Sequence, residues 1–188
     1  AVLVPLQKDA WSVAVSNPAL VVGAGTGDAV QRTLLPVLKA RGIRPCGVLA
    51  LGNGKAERAG AGALMKECPG IRHWSMADAE GTVRRWQFRP GNELVLEDLP
   101  APLATGIHQD RSRALSWRCR GRLVLMIGNA GFSSLARAEK TPRADVLVIG
   151  HHPRDPVDSA AWIRATGARA VIFTTEHACP VPEGTAVY

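Results

Sequence analysis

Three apolar runs in this chain each end on a glycine that opens a polar loop. The first, residues 47–51, leads into Gly52-Asn53-Gly54-Lys55. The second, residues 122–127, leads into Gly128-Asn129, and the third, residues 145–149, into Gly150-His151-His152-Pro153. Short aliphatic runs bounded by glycine read as strands covered on both faces. Such strands need a second layer on either side, which holds the chain to the α/β class. In α/β folds ligands gather where loops leave the carboxyl ends of strands. These three loops are therefore the first place to seek function.

The rest of the chain supports that class. Strands are expected over residues 1–6, 11–15 and 19–22, followed by a glycine loop at 23–27. Residues 28–41 have helical spacing, with Val30, Leu34, Val37 and Leu38 on one face. Thr26 or Asp28 would cap this helix and Gly42 would end it. Pro36 inside it removes a hydrogen bond and predicts a bend. Residues 52–59 read as loop and 60–68 as a small-residue helix closing at Pro69-Gly70. Strands follow at 71–76, 83–88 and 93–96, with 99–111 irregular. Residues 114–119 and 122–127 read as a hairpin around Arg120-Gly121. Helices are expected at 133–140 and 156–166, the latter with proline at its favoured first position. Residues 170–173 close the pattern as a strand, and the Pro- and Gly-rich remainder reads as loop or tail. With no linker or repeat, one domain over 1–188 is expected.

Apolar residues make up 46% of the 188 and charged residues 21%, proportions that suit a soluble fold with a sizeable core. No apolar run reaches the roughly 18 residues that a membrane span needs. The chain starts at Ala1 rather than Met, and we read it as a domain excised from a larger protein. The net charge of +7 favours polyanionic partners, nucleic acid above all, although the same charge also serves solubility. Four cysteines without a C-x-x-C pair argue against a zinc ribbon. Cys46 and Cys119 lie in apolar stretches, where buried free thiols are expected.

The order of these segments resembles the metallo-β-lactamase-like domain of ComEC-family DNA-uptake proteins. Gln7-Lys8-Asp9-Ala10 stands where that family has a Gly-Gln-Gly-Asp-Ala turn. Leu35-Pro36-Val37-Leu38-Lys39-Ala40-Arg41-Gly42-Ile43 matches its Leu-Pro-x-Leu-x-x-x-Gly-Ile run. Ile127-Gly128-Asn129 and Gly150-His151-His152-Pro153 stand for its Thr-Gly-Asp and Pro-His-His-Gly-Ser loops. The resemblance spans nearly the whole chain. It implies a four-layer αββα sandwich of the metallo-β-lactamase type. It also implies a parent membrane channel for single-stranded DNA, with this domain outside the membrane, and zinc as the family's cofactor.

The same alignment removes most of the zinc chemistry. Asn53, Lys55, Glu57 and Arg58 occupy the places of the first-loop ligands. Asn129 replaces the bridging aspartate, and His151 is the surviving ligand position. Zinc needs deprotonated N, S or O donors, and Lys55 and Arg58 are cations at neutral pH. We therefore expect a degenerate metal site, no metal, no catalytic residue and no small-molecule cofactor. Lys55 and Arg58 would serve as fixed cations for phosphate oxygens, or as solvated charges on an inert loop. The alternative is a metal-dependent nuclease remodelled around Glu57, Asn129 and His151.

Further cations extend the expected nucleic-acid surface: Lys8, Arg84 and Arg85 beside Trp86, and Arg118, Arg120 and Arg122 on the hairpin. On alternating strand positions the last three would share one face. Trp86 and Trp117 suit strand packing better than base stacking. The loop at 23–27 has the look of a dinucleotide turn, and nucleotide binding there is a second alternative. That pattern needs glycine at 28, where Asp28 sits, and an acid after the next strand, where Leu51-Gly52-Asn53 has none. No Gly-x-Ser-x-Gly elbow supports serine catalysis.

Overall fold

Each strand segment of the sequence finds its partners in one of two sheets. The computed structural model describes residues 2–6, 11–15, 18–50, 55–75, 84–89, 92–97, 114–127, 141, 143–149, 159–173 and 179–188. The chain forms two compact units, Ala1–Glu80 and Gly81–Tyr188.

The first unit carries a sheet in the order β1-β2-β3-β4-β5. Its strands are β1 (Val2–Pro5), β2 (Trp11–Val15), β3 (Ala19–Val22), β4 (Pro45–Ala50) and β5 (Arg72–Ser75). β1, β2 and β3 pair antiparallel, while β3, β4 and β5 run parallel. Val4, Ala14, Val21 and Val48 form one core with Val30, Leu34, Leu38, Ala61 and Leu64 of the helices. On the opposite face Val13, Leu20, Val22 and Leu49 are also buried. Both faces of this sheet are thus apolar, as the unbroken aliphatic runs require.

The first helical stretch opens with α1 (Gly27–Ala29), where Thr26 is the cap: the Ala29 N–H donates to Thr26 Oγ1 at 3.1 Å. A π segment (Val30–Leu34) follows, and then α2 (Leu35–Ala40). The expected bend at Pro36 takes this form. The Leu35 N–H reaches back five residues to the Val30 carbonyl, so the turn widens just before the ring. In an α-turn the ring would meet the carbonyl four residues back.

The next helix, α3 (Lys55–Glu67), begins five residues earlier than the small-residue run suggested. Lys55-Ala56-Glu57-Arg58-Ala59 are all good helix formers, and nothing in them stops propagation backwards. Gly60 fixes where this helix lies. A Cβ there would run into the Gly25 carbonyl oxygen, with Gly25 C at 2.8 Å and Ala24 O at 2.9 Å. Gly23 and Gly25 adopt left-handed φ of 67° and 64°, which lets the 23–26 loop turn beneath the helix.

The second unit carries a sheet in the order β12-β11-β10-β9-β8-β7-β6. The strands β6 (Arg84–Arg89), β7 (Asn92–Glu97), β8 (Ala114–Cys119) and β9 (Arg122–Ile127) form an antiparallel meander. The parallel part adds β10 (Val146–Ile149), β11 (Ala170–Phe173) and β12 (Ala186–Val187). Leu125, Leu147, Ile149 and Val171 pack with Trp162 and Ile163 of α4 (Ser159–Thr166). Leu115, Met126 and Val148 are buried on the other face. The expected hairpin turn is present: Arg120 and Gly121 have φ of 49° and 76°, the signature of a two-residue type I′ connection. The tail is not all loop. After a turn at Gly184, the Tyr188 N–H donates to the Val171 carbonyl and the Phe173 N–H to the Tyr188 carbonyl, both at 3.0 Å. The expected helix at 133–140, and Pro156 of the helix at 156–166, lie outside the described residues.

Asp145 ties three strands at their starts. Its carboxylate accepts from the Leu123 N–H at 2.8 Å and from Arg122 at 3.1 Å. Its own N–H donates to the Leu123 carbonyl, and its carbonyl accepts from the Arg169 N–H. The Leu123 N–H first, and then Arg122, hold this carboxyl below the usual Asp range.

Gly60→Ala should destabilise the protein by about 1–3 kcal/mol, because backbone rather than a flexible side chain must yield. Gly62, with nothing within 4 Å of its Cβ position, is the control. Gly62→Ala should be neutral or stabilising by up to about 1 kcal/mol, read from denaturant unfolding. Asp145 has a depressed folded pKa, so its contribution is present above the ordinary Asp pKa of about 4 and is lost as pH falls through the folded value. Unfolding measured from neutral to acid pH should show a flatter acid-side loss for Asp145→Asn than for the parent, and equal slopes would contradict the clamp.

Candidate functional site

The parallel strands deliver two of the three loops side by side. Ile127 and Ile149 are register partners at the carboxyl ends of β9 and β10. Adjacent strands lie about 4.8 Å apart. The segments that carry Asn129 and His151 therefore start level, from neighbouring strands. Asn129 and His151 themselves lie outside the described residues, as does Asn53, which follows β4.

The structure does place the cations of the first loop. Lys55 and Arg58 are not in a loop: they occupy the first turn of α3, and both are exposed. Positions three apart share a helix face. Glu57 also lies in this first turn, and its side chain is outside the described residues. The close approach at Gly60 holds this helix against the 24–25 backbone. Two fixed positive charges therefore stand at the helix start, reached from β4 by way of residues 51–54.

Two of the four first-loop positions, Lys55 and Arg58, do not fit zinc. An ammonium and a guanidinium hold no lone pair for a metal at neutral pH. Among the described residues no group of three His, Cys, Asp or Glu side chains comes together at metal-binding distance.

The glycine loop at 23–27 is a packing device. The Gly25 and Ala24 carbonyls face the Cα of Gly60, and Gly27 lies near Ala59 and Ala63. The donors behind it are engaged as well: Ala29 N–H by Thr26 Oγ1 and Val30 N–H by the Thr26 carbonyl. The glycines answer to that close approach, a role the sequence does not distinguish from phosphate binding.

The basic hairpin departs from expectation. Cys119 pairs with Arg122, and Arg118 pairs with Leu123. Directly paired residues share a face and successive residues alternate, so Arg118 and Arg122 lie on opposite faces. The two-residue turn causes this, because it makes positions three apart, not four, face alike. Arg120 sits in the turn itself, and Arg122 is committed to Asp145 at 3.1 Å. Arg84 and Arg85 hold consecutive positions on the edge strand β6, pairing with Leu96 and Val95, and so also belong to opposite faces. Lys8 lies outside the described residues. The expected nucleic-acid surface therefore does not form one stripe across this sheet.

The cysteines correct one further expectation. Cys46 is exposed rather than buried. Ala19 pairs with Pro45 and Leu20 with Gly47, which leaves Cys46 as the extra residue of a β-bulge. Cys68 and Cys179 are free and half-buried, and burial pushes both thiols up from their usual pKa. Residues that sequence reasoning passed over, Asp145 and Gly60, show their roles through contacts distant in sequence.

No family model matches the chain, and no curated protein matches it. Solved structures do. The HARLDQ motif mutant of a metallo-β-lactamase from Cronobacter sakazakii superposes with a TM-score of 0.57 at 14% identity, over 79% of this chain and 76% of that one. The metallo-β-lactamase fold protein YhfI from Bacillus subtilis gives a TM-score of 0.57 at 14% identity, over 87% and 76%. Igni18, a metallo hydrolase from the archaeon Ignicoccus hospitalis, gives 0.54 at 11% identity, over 90% and 80%. Identities this low speak to fold alone. The chain therefore has the metallo-β-lactamase fold, the α/β sandwich class that its sequence implied.

Proposed function

We propose that this domain holds the phosphate backbone of nucleic acid in the place where related folds hold metal, and does not hydrolyse it through zinc. The observation that carries the reading is the pair Lys55 and Arg58 on one face of the first turn of α3. Helix starts favour acidic residues, because the macrodipole is positive there, and a cation costs about 0.3–1 kcal/mol. Glu57 follows that rule, while Lys55 and Arg58 break it. Two cations added to the positive end of a dipole form an environment for phosphate oxygens. A local rule broken at two positions of one turn is a mark of function.

The ComEC-type order of motifs supports single-stranded DNA as the natural partner, and a DNA-uptake channel as the parent protein. On that reading the domain works outside the cytoplasm, beside the rest of the channel. No helix among the described residues is long and apolar enough to cross a membrane. A second reading, a nuclease remodelled around Glu57, Asn129 and His151, draws on the level ends of β9 and β10. It requires metal-dependent cleavage, which the binding domain does not.

The test is the salt dependence of affinity for a labelled single strand. Lys55→Gln/Arg58→Gln should reduce the slope of log K against log salt by about 1.4, at roughly 0.7 per lost phosphate contact. An unchanged slope and affinity would contradict the reading.

A further inference from the structure

The starting ends of β4 and β5 carry a second set of cations, on the side of the sheet remote from Lys55 and Arg58. Lys39 lies in the last turn of α2, Arg41 is its C-cap residue, and Arg44 directly precedes β4. Lys66 lies in the last turn of α3, and Arg72 opens β5. All five are exposed.

The topology brings them together. β4 and β5 are parallel neighbours, and Arg72 is the register partner of Gly47. Arg44 stands three residues before that level. At about 3.3 Å per residue and 4.8 Å between strands, the Cα atoms of Arg44 and Arg72 lie about 11 Å apart. Helix α2 hands the chain to β4 through a fixed turn: Gly42, at φ 61°, donates to the Lys39 carbonyl at 3.1 Å, and the Ile43 N–H to the Leu38 carbonyl at 2.9 Å. These are the two bonds of a Schellman ending. Lys39, Arg41 and Arg44 are thus set around one rigid corner. A single carboxylate, Glu67, accompanies the five cations in these two turns.

Helix dipoles account for part of this. A cation in the last turn of a helix is favoured, which suffices for Lys39, Arg41 and Lys66. It does not reach Arg44 or Arg72, which belong to strand starts beyond the helices. The chemistry of the surface also selects its partner. Protein interfaces centre on apolar and aromatic groups. Of the large exposed hydrophobics among the described residues, Met65 alone belongs to this unit. A surface rich in arginine, with Met65 as its one large exposed hydrophobic among the described residues, suits the sugar–phosphate backbone, whose contacts are polar and ionic.

We propose that this end of the sheet is a second contact surface for nucleic-acid backbone. It is separated from the Lys55–Arg58 turn by the length of β4, whose six residues span about 20 Å. A strand or duplex that follows both surfaces must lie along this unit rather than touch it at one point. The proposal does not depend on the Lys55–Arg58 site, because either surface can bind without the other.

The test uses the full chain and a labelled random-sequence duplex, with affinity read by anisotropy across a salt series. Lys39→Gln/Arg41→Gln/Arg72→Gln should lower the slope by about 2–3, at roughly 0.9 per contact, and weaken binding about tenfold or more at fixed low salt. An unchanged thermal midpoint shows that the fold is intact. Should the midpoint fall, Arg41→Gln and Arg72→Gln singly should each lower the slope by about 0.9. A slope and affinity equal to the parent's would overturn the proposal, whatever Lys55→Gln/Arg58→Gln does. A loss confined to the triple variant would support this surface and remove the other. Binding to phosphatidylserine vesicles that the triple variant loses, with duplex affinity retained, would also overturn it in favour of a lipid surface.

Discussion

The first unit depends on one close approach, that of the Gly60 backbone to the carbonyls of Ala24 and Gly25. No side chain fits between the helix and the loop, so α3 can lie in one place only. That contact explains the left-handed glycines at 23 and 25, which turn the loop beneath the helix. It explains why position 60 of α3 is a glycine. It also determines where the first turn of α3 stands, and with it Lys55 and Arg58. A packing constraint between two backbones thus sets the position of the charges that the functional reading uses.

Each sheet is buried on both faces by aliphatic side chains, among them Val21, Leu49, Leu125 and Val148, all at most 3% exposed. Each fully buried Val or Leu contributes about 1.5–3 kcal/mol relative to exposure. The Asp145 clamp joins β9, β10 and β11 at their starts, at the end of the sheet remote from the loops after Ile127 and Ile149. The described core and clamp thus lie in the sheets and at the strand starts. On the proposed reading, this fold carries cations where related folds carry metal ligands.

Legibility from sequence followed the range of the interactions. The aliphatic runs and Arg120-Gly121 declare strands and a hairpin because period and turn chemistry are local. Gly42 likewise announces the end of α2. The start of α3 is not legible because Lys55 to Ala59 carry no stop or start signal of their own, and the helix packs at Gly60 against residues 24–25. The tail reads as loop because Pro and Gly dominate it, while β12 forms through hydrogen bonds to β11, which sequence does not show. The exposure of Cys46 comes from a bulge, a register event between two strands. The faces of Arg118 and Arg122 turned on whether a two-residue turn or a continuous strand separates them. Of the candidate site, Lys55 and Arg58 were found by alignment of motif order, and their arrangement on a helix face came from the structure.

The central claim is that this fold has exchanged metal for fixed positive charge. Its most direct test is the metal content of the purified protein, measured by mass spectrometry after exposure to excess Zn²⁺ and Mn²⁺ and then desalting. The account predicts well under one equivalent retained, because two donors rarely hold a metal through desalting. Retention of close to one or two equivalents would contradict it, and would return Glu57, Asn129 and His151 to the role of ligands.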